Sequence, residues 1–269
     1  MKKLLIRMLI AVMVFVGGRG IPEVFAQNEG VLDKVIADYG LEFSGDLAFN
    51  SIYMWRGIML DGDLVAQPGF YVSTKDSKLG KLKLGFWMSR DMENKDLLKS
   101  SETDYIVDYS YNFKDASVSL GHIYYDFPDA APLDGAPKGF SREFYAGLAF
   151  PNILLAPSVY YYYDYGKKED GGGQGSYTVL NLSYSLPVKI KEYACSFDLY
   201  SHIGHNNKQY YASKGGDAAL GAGLTIPLTR NLNCKPNINY SVPWGNVSDK
   251  GAGNQKTRFY SGIYLSYSF

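Results

Sequence analysis

Charged residues recur on the polar side of segments whose other side is apolar: Glu42, Asp46, Arg56, Lys83, Asp104, Asp108, Glu143, Asp198, Asp217 and Arg258, with Lys235 in a similar setting. Gathered around a narrow lumen, opposed charges focus field lines and select solutes by sign. In a filled lumen the same groups would pair with one another and plug it. Residue types alone leave both outcomes open. Acidic members outnumber basic ones, so the expected selectivity is a weak cation preference.

Aromatic residues share this polar parity: Tyr71, Trp87, Tyr125, Tyr145, Tyr160, Tyr162, Tyr200, Tyr260 and Tyr264. Flat hydroxyl-bearing rings can stack on a passing solute or fill space while bonding to carboxylates. Other chemistry is sparse. His122, His202 and His205 include no pair with metal-ligand spacing on one strand face, because residues three apart on a strand point to opposite sides. No motif marks a Ser/His nucleophile pair, so neither an enzyme, a metal nor a cofactor is expected. Cys195 and Cys234 fall on strands separated by a third. Their backbones would lie about 9–10 Å apart, beyond the roughly 7 Å limit for a disulfide. Both are expected as free thiols on the apolar side.

The elements that must position these residues show in the alternation. In 41–56, Leu41, Phe43, Leu47, Phe49, Tyr53 and Trp55 share one parity, while Glu42, Ser44, Asp46, Asn50 and Arg56 share the other. Similar segments lie near 67–74, 81–90, 102–113, 117–127, 142–150, 153–165, 176–186, 192–204, 217–227 and 232–244, and the last ends at Phe269. About 12 strands are predicted. Connections after odd strands are long and polar or Gly-rich, as in 128–141, 166–175, 206–216 and 245–256. Those after even strands are short: 75–80, 114–116, 151–152, 187–191 and 228–231. This alternation is the pattern of a transmembrane antiparallel up-and-down β-barrel of the Gram-negative outer membrane. Closure also leaves no unpaired strand edge in lipid.

Of 269 residues, 24 are Tyr and 29 are Gly, and 20% are charged against the roughly 25% of a soluble protein. Aromatic girdles at the headgroup level would absorb part of the tyrosine. On this reading Tyr53, Trp55, Phe86, Tyr105, Tyr163, Trp244 and Phe259 form the outer rim. Phe43, Tyr111, Phe113, Phe150, Tyr184, Tyr193, Tyr267 and Phe269 form the inner one. Lys2, Lys3 and Arg7, the short apolar run 8–16 and Val24-Phe25-Ala26 read as a signal peptide over 1–26. Its removal takes Lys2, Lys3, Arg7, Arg19 and Glu23 from the 27 basic and 27 acidic residues, leaving 23 and 26. A slightly acidic exported chain is a poor nucleic-acid partner. Residues 27–40 do not alternate; Val31, Leu32, Val35, Ile36 and Tyr39 allow a short amphipathic helix or a leader. The barrel then occupies 41–269.

Phe269, preceded at alternate positions by Tyr267, Leu265 and Ile263, resembles the terminal signal that barrel-assembly machinery reads. The segment Tyr53-Met54-Trp55-Arg56-Gly57-Ile58, followed by Asp61-Gly62-Asp63, resembles the opening strand and first loop of the TorF-type putative porins. Gly121-His122-Ile123-Tyr124-Tyr125 and Glu143-Phe144-Tyr145-Ala146-Gly147-Leu148 resemble two further blocks of that family. Met54, Trp55 and the Gly-rich seventh connection depart from it. The resemblance implies a porin-like barrel in outer-membrane lipid, without identifying a solute. The sequence thus predicts passive diffusion of small hydrophilic solutes. Alternatives are a closed barrel whose extracellular loops bind a partner, or a lipid-modifying enzyme.

Overall fold

The computed structural model describes residues 40–93, 102–128 and 139–268. The expected signal peptide, the leader up to residue 39 and the terminal Phe269 lie outside the described residues. The strands are β1 Leu41–Asn50, β2 Tyr53–Trp55, β3 Ile58–Asp61, β4 Val65–Thr74, β5 Lys81–Asp91, β6 Glu102–Asn112 and β7 Ser117–Phe127. They continue as β8 Gly139–Ala149, β9 Ser158–Asp164, β10 Gly175–Ile190, β11 Tyr193–Asn207, β12 Lys214–Pro227, β13 Leu232–Gly245 and β14 Arg258–Ser268. All except β2 and β3 form one closed barrel in chain order, with β1 bonded to β14. Leu47 stands opposite Leu265 in that closing antiparallel pair.

Alternation fixes which way each strand faces. Leu82, Leu84, Tyr105, Val107, Leu120, Leu199, Leu220, Ile238 and Ile263 are exposed on the outside. Glu102, Asp104, Asp108, Glu143, Asp164 and Asp217 are buried inside. An apolar exterior around a polar interior is the inverse of a soluble barrel and suits a lipid surround. Aromatic neighbours run across four outer strand ends: Phe86 meets Tyr105, Tyr105 meets Tyr124, and Tyr124 stacks on Phe140. The Arg142 guanidinium lies over Phe140 and Tyr124. Tyr111 and Phe113 pair at the opposite end of β6.

Inside, glycines face tyrosines on neighbouring strands. Gly121 is the cross-strand partner of Tyr145, Gly147 of Tyr160, Gly221 of Tyr200 and Gly85 of Tyr71. A Cβ on Gly121 would lie 2.2 Å from the Tyr145 ring, and one on Gly221 2.1 Å from the Tyr200 ring. Each ring therefore lies flat over bare backbone and tiles the wall. Much of the Gly and Tyr content is one feature.

Three sequence expectations change. β1 ends at Asn50, not at residue 56, because the following residues turn back as the β2–β3 hairpin. The connection expected at 151–152 spans 150–157, closed by the bond from the Phe150 amide to the Pro157 carbonyl. β10 continues through Pro187 to Ile190, so its turn is only Lys191 and Glu192, with Lys191 in the left-handed region at φ 54°. Cys195 and Cys234 are free thiols, but Cys195, cross-strand from Val188, is buried rather than openly displayed. Among the described residues no helix is long and apolar enough to cross a membrane, which says nothing of the strands.

Leu220, 61% exposed in the middle of β12, tests the outward assignment. Leu220→Arg should lower folding stability in lipid vesicles by about 2–4 kcal/mol. Urea titrations followed by tryptophan emission would measure this; a change below about 0.5 kcal/mol, the ordinary range for a surface site, contradicts it.

Candidate functional site

The interior is organised by the hairpin that follows β1. Trp55 and Ile58 are cross-strand partners, leaving Arg56 and Gly57 as the two turn residues. Their φ values are 49° and 76°. Positive φ at both positions is what a two-residue type I′ hairpin turn demands, and it usually selects Asn-Gly or Asp-Gly. Arginine in this conformation is strained, by roughly 1–2 kcal/mol. Compensation comes from what its side chain reaches.

The Arg56 guanidinium donates to both Glu143 oxygens, at 2.7 and 2.8 Å, and to Gln209 Oε1 at 2.8 Å. Three rings enclose it, Tyr162, Trp55 and Tyr177, with centroids 4.3, 4.4 and 4.6 Å away. Glu143 is wholly buried and also accepts from Gln209 Nε2 and the Tyr125 hydroxyl. Burial alone would lower the Arg56 guanidinium, but the Glu143 carboxylate outweighs it and holds the group above the ordinary arginine value. Removing either partner of a buried ion pair costs about 3–5 kcal/mol, since the other is left charged and unpaired.

Beyond Arg56 the contacts continue into the wall. Tyr177 donates to Asp217 Oδ1, and His202 Nε2 is 2.7 Å from Asp217 Oδ2. A Cβ on Gly57 would fall 2.5 Å from the Asp217 Cβ, so the hairpin tip touches β12. At its base, Tyr53 packs against Trp87, and its hydroxyl bonds to Glu102. Trp55 meets Tyr125 and Tyr210 edge-on. Gln209 and Tyr210 come from the loop between β11 and β12, where the Gln209 amide bonds to the Asn206 side chain. The hairpin is a strut across the lumen.

Every lumen charge expected from the sequence can be placed. Glu42 lies near the start of β1, on the parity of Asp46. Asp46 is bonded by Tyr264 and Tyr71, and Lys83 lines the same cavity of about 260 Å³. Asp108 accepts from Tyr145. Asp198 accepts from Ser185, Ser196 and Thr225, and Lys235 lies 3.9 Å away. Tyr260 lies near Tyr200 and Asp217. Arg258 opens β14 with its Nε buried and without a bonded partner. Arg56 is not on β1, as the alternation over 41–56 suggested; it is at the hairpin tip, paired with Glu143. Tyr53 and Trp55 accordingly belong to the interior, not to the outer rim.

Alternation did not single out Glu102, Tyr177, Gln209 and Tyr210. Tyr177 shares the inward parity of Asn181, so its signal was present. Gln209 and Tyr210 sit in a loop, where parity says nothing. A second cavity, of about 410 Å³, lies beside the hairpin and is lined by Trp55, Arg56, Trp87, Asp104, Tyr177 and His202, among others. Among the described residues no three His, Cys, Asp or Glu side chains gather as a metal site.

Fold and interior together define a porin-like antiparallel barrel with an internal hairpin. The chain belongs to the family described as "Bacterial protein of unknown function (Gcw_chp)", whose model matches residues 34–228. That match does not extend to the TorF-type name. Structures with a similar barrel include a KdgM porin in complex with disordered oligogalacturonate, at TM-score 0.49 and 10% identity, covering 85% of this chain and 99% of that one. The NanC porin aligns at TM-score 0.46 and 12% identity, covering 85% and 100%. A membrane-protein structure from work on in-meso crystallization aligns at TM-score 0.50 and 8% identity, covering 85% and 84%. At these identities the likeness is one of fold. No curated protein matches the chain.

Gly57→Ala forces a Cβ into Asp217 at a residue with φ 76°, and should destabilise the barrel by about 2 kcal/mol or more. Gly251→Ala, with no atom within 4 Å, is the control and should change stability by less than about 0.5 kcal/mol. Equal effects in thermal unfolding would contradict the placement of the tip.

Proposed function

We propose that the protein is an outer-membrane channel through which small hydrophilic solutes diffuse passively, narrowed by the β2–β3 hairpin. The observation that carries this reading is the polar interior beside the hairpin, whose cavity of about 410 Å³ is reached by water at His202, 30% exposed. The apolar exterior supports a membrane location. Residues 1–26 as an export signal, and Phe269 as the contact for assembly machinery, complete the proposal. The TorF-type resemblance points the same way.

A weak cation preference follows from which charges are already compensated. Arg56 is spent on Glu143, and Lys235 is near Asp198. Asp46 and Asp108 are bonded by tyrosine hydroxyls, which orient a carboxylate without cancelling its charge. Lys83, cross-strand from Asp108, offsets only part of this. An acidic surplus remains along the wall. For a lipid-modifying enzyme the histidines are poorly placed: His122 is bonded to Tyr165 and His202 to Asp217, so neither forms a serine–histidine pair among the described residues.

In planar bilayers the purified protein should give small, weakly cation-selective channels. Replacing residues 53–61 with a short Gly-Ser link should raise the unit conductance at least about twofold, by widening the constriction. If neither form conducts across several preparations, the channel reading fails and a closed barrel with partner-binding loops replaces it.

A further inference from the structure

We infer that the outer rim of the barrel holds the phosphate of a lipid headgroup at Arg142, on the outward face of β8. The inference rests on the membrane location and orientation in the proposed function, and not on conduction. Strand register carries the placement. Arg142 stands cross-strand from Tyr124, Tyr124 from Tyr105, and Tyr105 from Phe86, so the four form one row across β5 to β8 near their outer ends. Outward aromatic residues at strand ends mark the level of the headgroups. An arginine completes their row.

On the lipid side β8 presents Phe140, Arg142, Phe144, Ala146 and Leu148, and Arg142 is the charged member. It is exposed, and among the described residues no carboxylate pairs with it. Asp126, cross-strand from Phe140, shares this face without forming an ion pair to the guanidinium. The guanidinium lies 4.9 Å from the Phe140 ring centroid and 6.0 Å from that of Tyr124. Phe140 is two residues nearer the outer end of β8, so the side chain reaches up toward water and away from hydrocarbon. Two rings fix where the charge sits without neutralising it. Its N–H donors remain for a partner outside the protein.

The surroundings favour a lipid over a dissolved anion. His122 Nε2 and the Tyr165 hydroxyl are 2.8 Å apart, and both rings pack on Phe144, with centroids 4.8 and 5.1 Å from it. His122 lies near Arg142, and the Tyr165 amide bonds to the Arg142 carbonyl. A charged donor, a polar pair and an apolar ring pad therefore follow one another down the wall. A guanidinium held flat on rings can give two parallel N–H bonds to a phosphate. Phosphate is the anion that headgroups present at this depth. The ring pad below adds contacts only for a molecule that carries an apolar part.

Refolded full-length protein in detergent micelles would be titrated with bisphosphorylated lipid A and, separately, with the same lipid after removal of both phosphates. Native mass spectrometry would count the bound lipid. The phosphorylated lipid should bind saturably, and the dephosphorylated one about tenfold more weakly, equivalent to ~1.4 kcal/mol. Arg142→Gln should weaken lipid A binding by a similar factor. Arg230→Gln, the same loss of charge in the exposed turn between β12 and β13 at the opposite rim, should leave it unchanged. Inorganic phosphate should not compete. Equal binding of the two lipids, unchanged affinity in a folded Arg142→Gln protein, an equal loss in Arg230→Gln, or displacement by inorganic phosphate overturns the proposal. The wild-type comparison decides the phosphate requirement even if a variant does not refold. Protein that binds the phosphorylated lipid but passes no current sinks the channel reading and keeps the site. Protein that conducts but binds both lipids alike sinks the site alone.

Discussion

One buried ion pair sets the character of this barrel. Arg56 and Glu143 lie 87 positions apart in the chain, one on a hairpin tip and the other on β8, and they meet through two hydrogen bonds. Neither charge is stable alone in that interior, so the hairpin cannot leave without exposing the wall carboxylate to an unpaired state. Gln209 bonds to both partners and ties the loop after β11 to the same point. The strained backbone of Arg56 becomes intelligible in this light. A turn residue that costs energy locally is retained where its side chain organises everything around it.

The rest of the interior follows a second rule, steric rather than electrostatic. A twelve-stranded lumen lies between the filled eight-stranded and the open sixteen-stranded cases. Here tyrosines laid over glycines line the wall, and their hydroxyls end on carboxylates, as Tyr145 does on Asp108 and Tyr177 on Asp217. The two outcomes that the sequence left open, a charged lumen or a plugged one, are both present in different places. Near the hairpin Arg56 pairs with Glu143 and His202 with Asp217, beside a cavity of about 410 Å³. Asp46, bonded by Tyr71 and Tyr264, lines a cavity of about 260 Å³.

Strand number, facing and order were legible because period-two alternation is a local signal, and the apolar exterior enforces it on every strand. β7 shows this well: Leu120 faces out and Gly121 in, as parity requires. The signal failed where it continued by coincidence. Tyr53 and Trp55 keep the apolar parity of β1, so the segment read as one long strand, although its chain reverses at Arg56-Gly57. An Asn-Gly pair would have announced the turn; Arg-Gly did not, because arginine is there for its reach across the lumen. The Glu143 partnership was illegible for the same reason, since no local pattern encodes a contact between a loop and a distant strand. Loop residues such as Gln209 and Tyr210 carry no parity at all.

The claim that the Arg56–Glu143 pair holds the hairpin inside the barrel is tested most directly by a double-mutant cycle on folding stability in lipid vesicles. Arg56→Ala, Glu143→Ala and the double variant would be unfolded alongside the wild type. The structure predicts a coupling of about 2 kcal/mol or more, with the double variant far more stable than the sum of the single losses implies. Losses that add to within about 0.5 kcal/mol would show that the two residues do not depend on each other, and would contradict it.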